Sequence, residues 1–164
     1  MPSDRLHQLD TNLESLREQL GGMEEAYTLS PLEEQTRLKL RIKKLKAQIH
    51  EFEQEYWQTL AQESNQLQIA EPEAEVAIAE IVEGVTQIEA QPPATYSAEM
   101  LQLLRQIREE LNQPGTPAAV KVKWVLSAMP PFVGLATEGE LDLEKFLQTH
   151  FPTFRKWSKA LTKK

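Results

Sequence analysis

The stretch from Ser30 to Asn65 limits what this chain can fold into more than any other. It carries Leu38, Ile42, Leu45, Ile49, Phe52, Tyr56 and Leu60 at alternating steps of four and three. A repeat of about 3.5 residues is the narrow apolar seam of a coiled coil, not the wider stripe of a helix lying on a globular core. Ser30-Pro31-Leu32-Glu33 precedes the seam. These residues offer a hydroxyl for the N-cap, a proline for the first helical position and a carboxylate able to reach back, the parts of a capping box. No glycine or proline falls between Pro31 and Pro72, so one helix of about 35 residues, roughly 50 Å long, is expected. A seam of that length needs a partner along most of it.

The nearest partner lies just upstream. Leu6, Leu9, Leu13, Leu16, Leu20, Met23 and Tyr27 form a second heptad seam, whose phase survives Gly21-Gly22. Each glycine costs about 1 kcal/mol relative to alanine in a helix interior, so one helix from about Asp4 to Tyr27 is still expected. Thr28 and Leu29 alone separate it from the Ser30 cap, and so short a connection makes antiparallel neighbours. A turn centred there sets Glu14 near Lys44, and Glu18 near Leu40 and Arg41. The basic run Arg37, Lys39, Arg41, Lys43, Lys44 and Lys46 would then meet acids of its own hairpin. The same register leaves Phe52, Tyr56, Trp57 and Leu60 at or beyond the reach of the first helix. As large apolar side chains with little to pack on, they are candidate partner-binding anchors. The competing reading is that the C-terminal part of the chain folds back over them.

The net charge of −7 conceals a strong asymmetry. Residues 1–46 hold eight acids and eight bases, residues 47–104 eleven acids and no Lys or Arg, and residues 105–164 six acids and ten bases. The acidic middle would repel a phosphate backbone, so no nucleic-acid partner is expected. Cysteine is absent, which removes disulfides and Cys-ligated zinc. Met1-Pro2-Ser3-Asp4 lacks the basic start and apolar run of a signal peptide, and no stretch reaches the ~18 apolar residues of a membrane span. A cytoplasmic protein without a transmembrane segment is expected.

Residues 66–95 turn to Ala, Glu, Val, Ile and Pro, the composition of an acidic linker. Within it Ile78, Ile81, Val82, Val85 and Ile88 fall on one helical face, between Pro72 and Pro92-Pro93. A short amphipathic helix fits, which adds Ile78, Ile81, Val82 and Val85 to the partner-binding candidates. A strand through Val76, Ile78 and Glu80, and a tether that orders only on docking, remain open. Residues 96–164 read as a small helical domain. Ser97 caps a helix to about Asn112, Thr116-Pro117 starts another that Pro130-Pro131 stops, Asp142 caps a third, and Pro152 opens the last. Between them, Phe132 to Leu141 alternates around Gly134 and Gly139 and suggests a short β-hairpin or an extended loop. The expected architecture is therefore mainly α: an antiparallel coiled-coil hairpin over residues 1–65, the linker over 66–95, and the C-terminal helical domain.

No pattern for catalysis emerges. A phosphate-binding loop needs Gly-Lys-Ser/Thr, and none of the six glycines is so placed. A di-metal helical bundle needs Glu-x-x-His, but Asp4, Ala47 and Leu147 stand three residues before His7, His50 and His150. Glu51, Glu53 and Glu55 point different ways on a helix and cannot share a metal. No cofactor and no metal are expected.

The Ser30-Pro31 cap, the heptads and the Glu51-Phe52-Glu53-Gln54-Glu55-Tyr56-Trp57-Gln58 end of the hairpin resemble small helical effector-associated modules. Such modules accompany bacterial signal-transduction NTPases and related conflict-system proteins. The blocks Pro130-Pro131-Phe132 and Phe151-Pro152-Thr153-Phe154 are similar to the tails of their stand-alone members. The resemblance implies an adaptor whose helical module recruits a protein partner; separately, the thin core of a two-helix hairpin makes a homo-oligomer a further expectation. The alternative is a peripheral module that binds anionic lipid or nucleic acid through the basic C-terminal third, the apolar run Trp124 to Ala136 resting on the surface.

Overall fold

The structure, a computed structural model, describes the backbone of residues 2–66, 68–138 and 141–162. It contains α1 (Pro2–Leu29), α2 (Leu32–Glu63), α3 (Glu71–Ala90), α4 (Ala98–Leu111), α5 (Ala118–Glu138), α6 (Leu143–His150) and α7 (Pro152–Thr162), with a 3-10 turn at Ser64–Gln66. No strand occurs among the described residues. The chain divides into two compact units, Met1–Tyr56 and Trp57–Lys164.

In the first unit α1 packs against α2 as the expected hairpin. Its turn differs from the expected capping box. The Ser30 hydroxyl donates back to the Ala26 carbonyl and closes α1, while Gln35 Nε2 donates to the Tyr27 carbonyl at 3.2 Å. The first backbone bonds of α2, from Glu34 and Gln35, both go to the Pro31 carbonyl. Proline thus occupies the N-cap rather than the first helical position, and the turn is centred later in the chain than the connection length alone suggests.

That shift changes the register. Arg5 lies 2.7 and 2.8 Å from the two Glu55 carboxylate oxygens, and Arg17 lies 2.8 Å from Glu53 Oε1. The two arginines flank the α1 seam on opposite sides, as Glu55 and Glu53 flank the α2 seam. Arg17 thus meets α2 well beyond position 41, its expected neighbour, so α1 pairs further along α2 than the connection length alone suggests. Lys44 and Arg41 make no ion pair with Glu14 or Glu18 among the described residues. In both of these ion pairs the base stands on α1 and the acid on α2. Leu6, Leu9, Leu13, Leu16, Leu45, Ile49 and Tyr56 are buried, whereas Met23, Tyr27, Leu38 and Ile42, nearer the turn, are half-buried.

The second unit is built around α3, which packs on α4, α5, α6 and α7. The helix considered for the acidic segment is thus present, and it lies within this unit's core rather than apart from it. Its buried edge presents Ala74, Ala77, Ile81, Gly84, Val85 and Ile88. Gly84 permits close approach: a Cβ there would stand 2.7 Å from Phe151 Cε1 and 3.0 Å from the His150 carbonyl oxygen. The polar edge of α3 is equally structural. Glu71 accepts from the N–H groups of Ala118 and Ala119 at 3.1 and 2.9 Å, and Glu80 from those of Thr153 and Phe154 at 2.9 and 3.1 Å. One carboxylate satisfies the exposed donors at the start of α5 and another those of α7, where the helix dipole also favours negative charge. Glu89 completes the set by pairing with Arg108 at 2.7 Å and Arg105 at 3.4 Å.

Two caps form as the sequence suggests: Ser97 accepts from Met100 N–H at 3.2 Å and Asp142 from Lys145 N–H at 3.1 Å. The β-hairpin expected over Phe132 to Leu141 does not. Helix α5 continues through Pro130 and Pro131 as far as Glu138, and Gly139 lies outside the described residues. Two prolines remove two backbone donors and disfavour helical geometry before them. Against that, Phe132, Val133 and Ala136 on the far side become 2%, 1% and 1% exposed only if the helix runs on. Pro131 faces solvent, where water can reach the carbonyl that lost its donor. Burial of one apolar face outweighs the local cost.

Candidate functional site

The candidate partner-binding residues separate into three groups. Tyr56, Trp57 and Leu60 are 1%, 2% and 0% exposed, and Ile81 and Val85 are 1% and 0% exposed. All five are buried within the chain rather than exposed on its surface. Trp57, on the last turns of α2, stacks on Phe154 with ring centroids 6.2 Å apart and planes 10° from parallel. Arg155 closes the other contact, its guanidinium carbon 5.8 Å from the Trp57 ring centroid, and is itself held at 2.9 Å by Glu144. The chain's own C-terminal helix thus covers Trp57. Phe52 is half-buried in the first unit.

Ile78 and Val82 form the third group. Both are half-buried, and both line an open groove of about 550 Å³ in the second unit. One wall is the outer face of α3, with Glu71, Glu75, Ile78, Ala79, Val82 and Glu83; the other is the α4–α5 corner, with Asn112, Thr116, Pro117, Ala118 and Lys121. Periodicity alone placed Ile78 and Val82 on one face. The opposite wall comes from residues 112–121 and has no local signal.

The groove's chemistry is apolar at the floor and mainly acidic at the rim. Glu71 is engaged by α5, and Lys121 donates to the Leu111 carbonyl at 2.9 Å. Glu75 and Glu83 are exposed and make no ion pair among the described residues. Such a surface can hold an apolar side chain flanked by positive charge. A second depression of about 340 Å³ adjoins Tyr96, Asp142, Lys145, Phe146 and His150. Burial raises the Tyr96 hydroxyl above its ordinary pKa and lowers the His150 imidazole below its own. The Phe146 ring lies between them, 6.0 Å from Tyr96 and 4.8 Å from His150. No group of three His, Asp or Glu side chains suited to a metal ion occurs among the described residues.

The hairpin also carries exposed residues away from its seam. Leu29 and Leu32, on either side of the turn, are 80% and 81% exposed, and Leu40 on α2 is 59% exposed. Arg37, Lys39, Arg41, Lys43, Lys44 and Lys46 are all exposed, and none makes an ion pair among the described residues. No helix among the described residues is long and apolar enough to cross a membrane. No protein-family model, curated protein or solved structure matches the chain.

Proposed function

We propose that the chain is a non-enzymatic adaptor that engages a protein partner through the turn end of its hairpin. The observation that carries this reading is the exposure of Leu29 and Leu32, 80% and 81%, at the point where two long helices meet. The seam residues along the hairpin are half-buried or buried, so this pair is an apolar prominence at its turn. Large side chains of this kind supply binding energy when a partner removes them from water, about 1.5–3 kcal/mol for each leucine fully buried. Exposed Glu24, Glu25, Glu33 and Glu34 flank them. The complementary partner surface is therefore an apolar pocket with a basic rim, and an anionic lipid surface is disfavoured by the same four carboxylates. The resemblance to effector-associated modules points to the same kind of role.

The alternative anionic-surface module relies on the bases of the C-terminal third. Several of those are engaged inside the second unit: Arg105 and Arg108 by Glu89, Arg155 and Lys159 by Glu144, and Lys121 by a backbone carbonyl. The test of the adaptor reading is retention of proteins from a native extract by the immobilised full chain and by a Leu29→Asp, Leu32→Asp variant. One or a few proteins held in stoichiometric amount by the first and lost by the second, at unchanged helical circular dichroism, is the expected result. The same proteins on both would refute the tip as the binding element.

A further inference from the structure

Helix α3 carries six carboxylates, and half of them are engaged within its own unit. Glu71 caps α5, Glu80 caps α7 and Glu89 pairs with α4. Glu73, Glu75 and Glu83 are exposed and make no ion pair among the described residues. Two of these, Glu75 and Glu83, stand on the rim of the groove and bracket Ile78 and Val82 along the helix. At the rise of an α-helix they are about 12 Å apart.

The complement of that surface exists in the same chain. Leu40 is 59% exposed on the face of α2 away from the seam. Arg37 and Lys44 lie on either side of it along the helix, about 10 Å apart, with Lys43 also beside it. Like the groove's acids, these bases are exposed and without an ion-pair partner among the described residues. An apolar residue between two positive charges and an apolar floor between two negative charges thus recur at matching spacing, on a chain that segregates its charges to this degree.

We infer that the groove receives the Leu40 face of α2 from a second copy of this chain. Leu40 enters between Ile78 and Val82, and Arg37 and Lys44 meet the carboxylates of Glu75 and Glu83. The contact joins two different surfaces, so it is heterologous: an open assembly always keeps one free groove at one end and one free α2 face at the other, and it grows head to tail unless it closes into a ring. Exposed charge pairs are screened by salt, so the association weakens as ionic strength rises. Leu29 and Leu32 take no part in the contact, and loss of self-association therefore leaves partner capture at the hairpin turn independently measurable.

Sedimentation velocity of the full chain at low and high salt tests the inference. Concentration-dependent association at low salt, weakened at high salt, is expected. An Arg37→Glu, Lys44→Glu variant and a Glu75→Lys, Glu83→Lys variant should each weaken it by about tenfold or more, with helical circular dichroism unchanged. Mixing the two variants in equal amounts should restore association, because each now supplies the surface the other lacks. A monomer at every concentration in low salt overturns the inference. So does association that survives both charge reversals, or that is lost in both and not recovered on mixing.

Discussion

The two units use carboxylates in different ways. In the hairpin, Glu53 and Glu55 accept from arginine side chains across a seam whose two helices supply all their own backbone bonds except near the turn. In the second unit, Glu71 and Glu80 accept from backbone N–H groups of other helices. The difference follows from how helices begin. Helices α5 and α7 start beside Pro117 and Pro152, and no adjacent side chain fills the acceptor role that Ser97 and Asp142 fill for α4 and α6. A distant carboxylate satisfies those donors instead. Coiled-coil flanks join their helices through long side-chain pairs; a bundle of short helices makes its acids part of the backbone bonding.

The comparison would be broken most severely at Phe154. This residue is 0% exposed and stacks on Trp57, so Phe154→Ala should lower unfolding free energy by about 3–5 kcal/mol. Denaturant titration followed by Trp fluorescence reads it directly, since Trp57 loses its stacked neighbour. A loss near that of an exposed substitution would mean that the C-terminal helix does not secure this end of α2. The next effect sharpens the contrast between the two kinds of carboxylate. Glu80→Ala leaves two N–H groups of α7 without their acceptor and should cost about 1–2 kcal/mol, with little change between low and high salt. Arg5→Ala removes a bridge between side chains that are each 44% exposed. It should cost only about 0.2–1 kcal/mol, and less in high salt. Equal losses with equal salt dependence would erase the distinction.

The smallest effect concerns pH. Burial holds the His150 imidazole below its ordinary pKa of 6.5, so the folded state favours the neutral ring. Stability from this group is fully present above 6.5 and declines as pH falls below that value toward the lowered folded pKa. His150→Gln should flatten that part of the stability–pH curve without reversing it. An unchanged slope would remove His150 as its source.

Much of the architecture was legible because it rests on periodicity and on local caps. The seams at Leu6–Tyr27 and Leu38–Leu60, the Ser97 and Asp142 caps and the apolar face of α3 all fall within one or two helical turns of their signal. What was not legible depends on distance. Nothing near Pro130-Pro131 announces that burying Phe132, Val133 and Ala136 will carry the helix through. Nothing near Ser30-Pro31 reveals that the serine will turn back to Ala26 instead of capping α2. For the candidate site, Ile78 and Val82 could be read from spacing, but their facing wall at Pro117 and Lys121 is assembled by tertiary packing. Trp57 reads as open because its cover comes from residues far along the chain. Phe154 alone lies nearly a hundred positions beyond Trp57.

Helix α3 has one more consequence, which concerns time rather than energy. It precedes both α5 and α7 in the chain, so during synthesis Glu71 and Glu80 leave the ribosome before the amide groups they will receive. Each later helix is made in the presence of its acceptor. A segment that composition alone marks as a spacer is in this sense a template, and a flexible insert of equal length could not take its place.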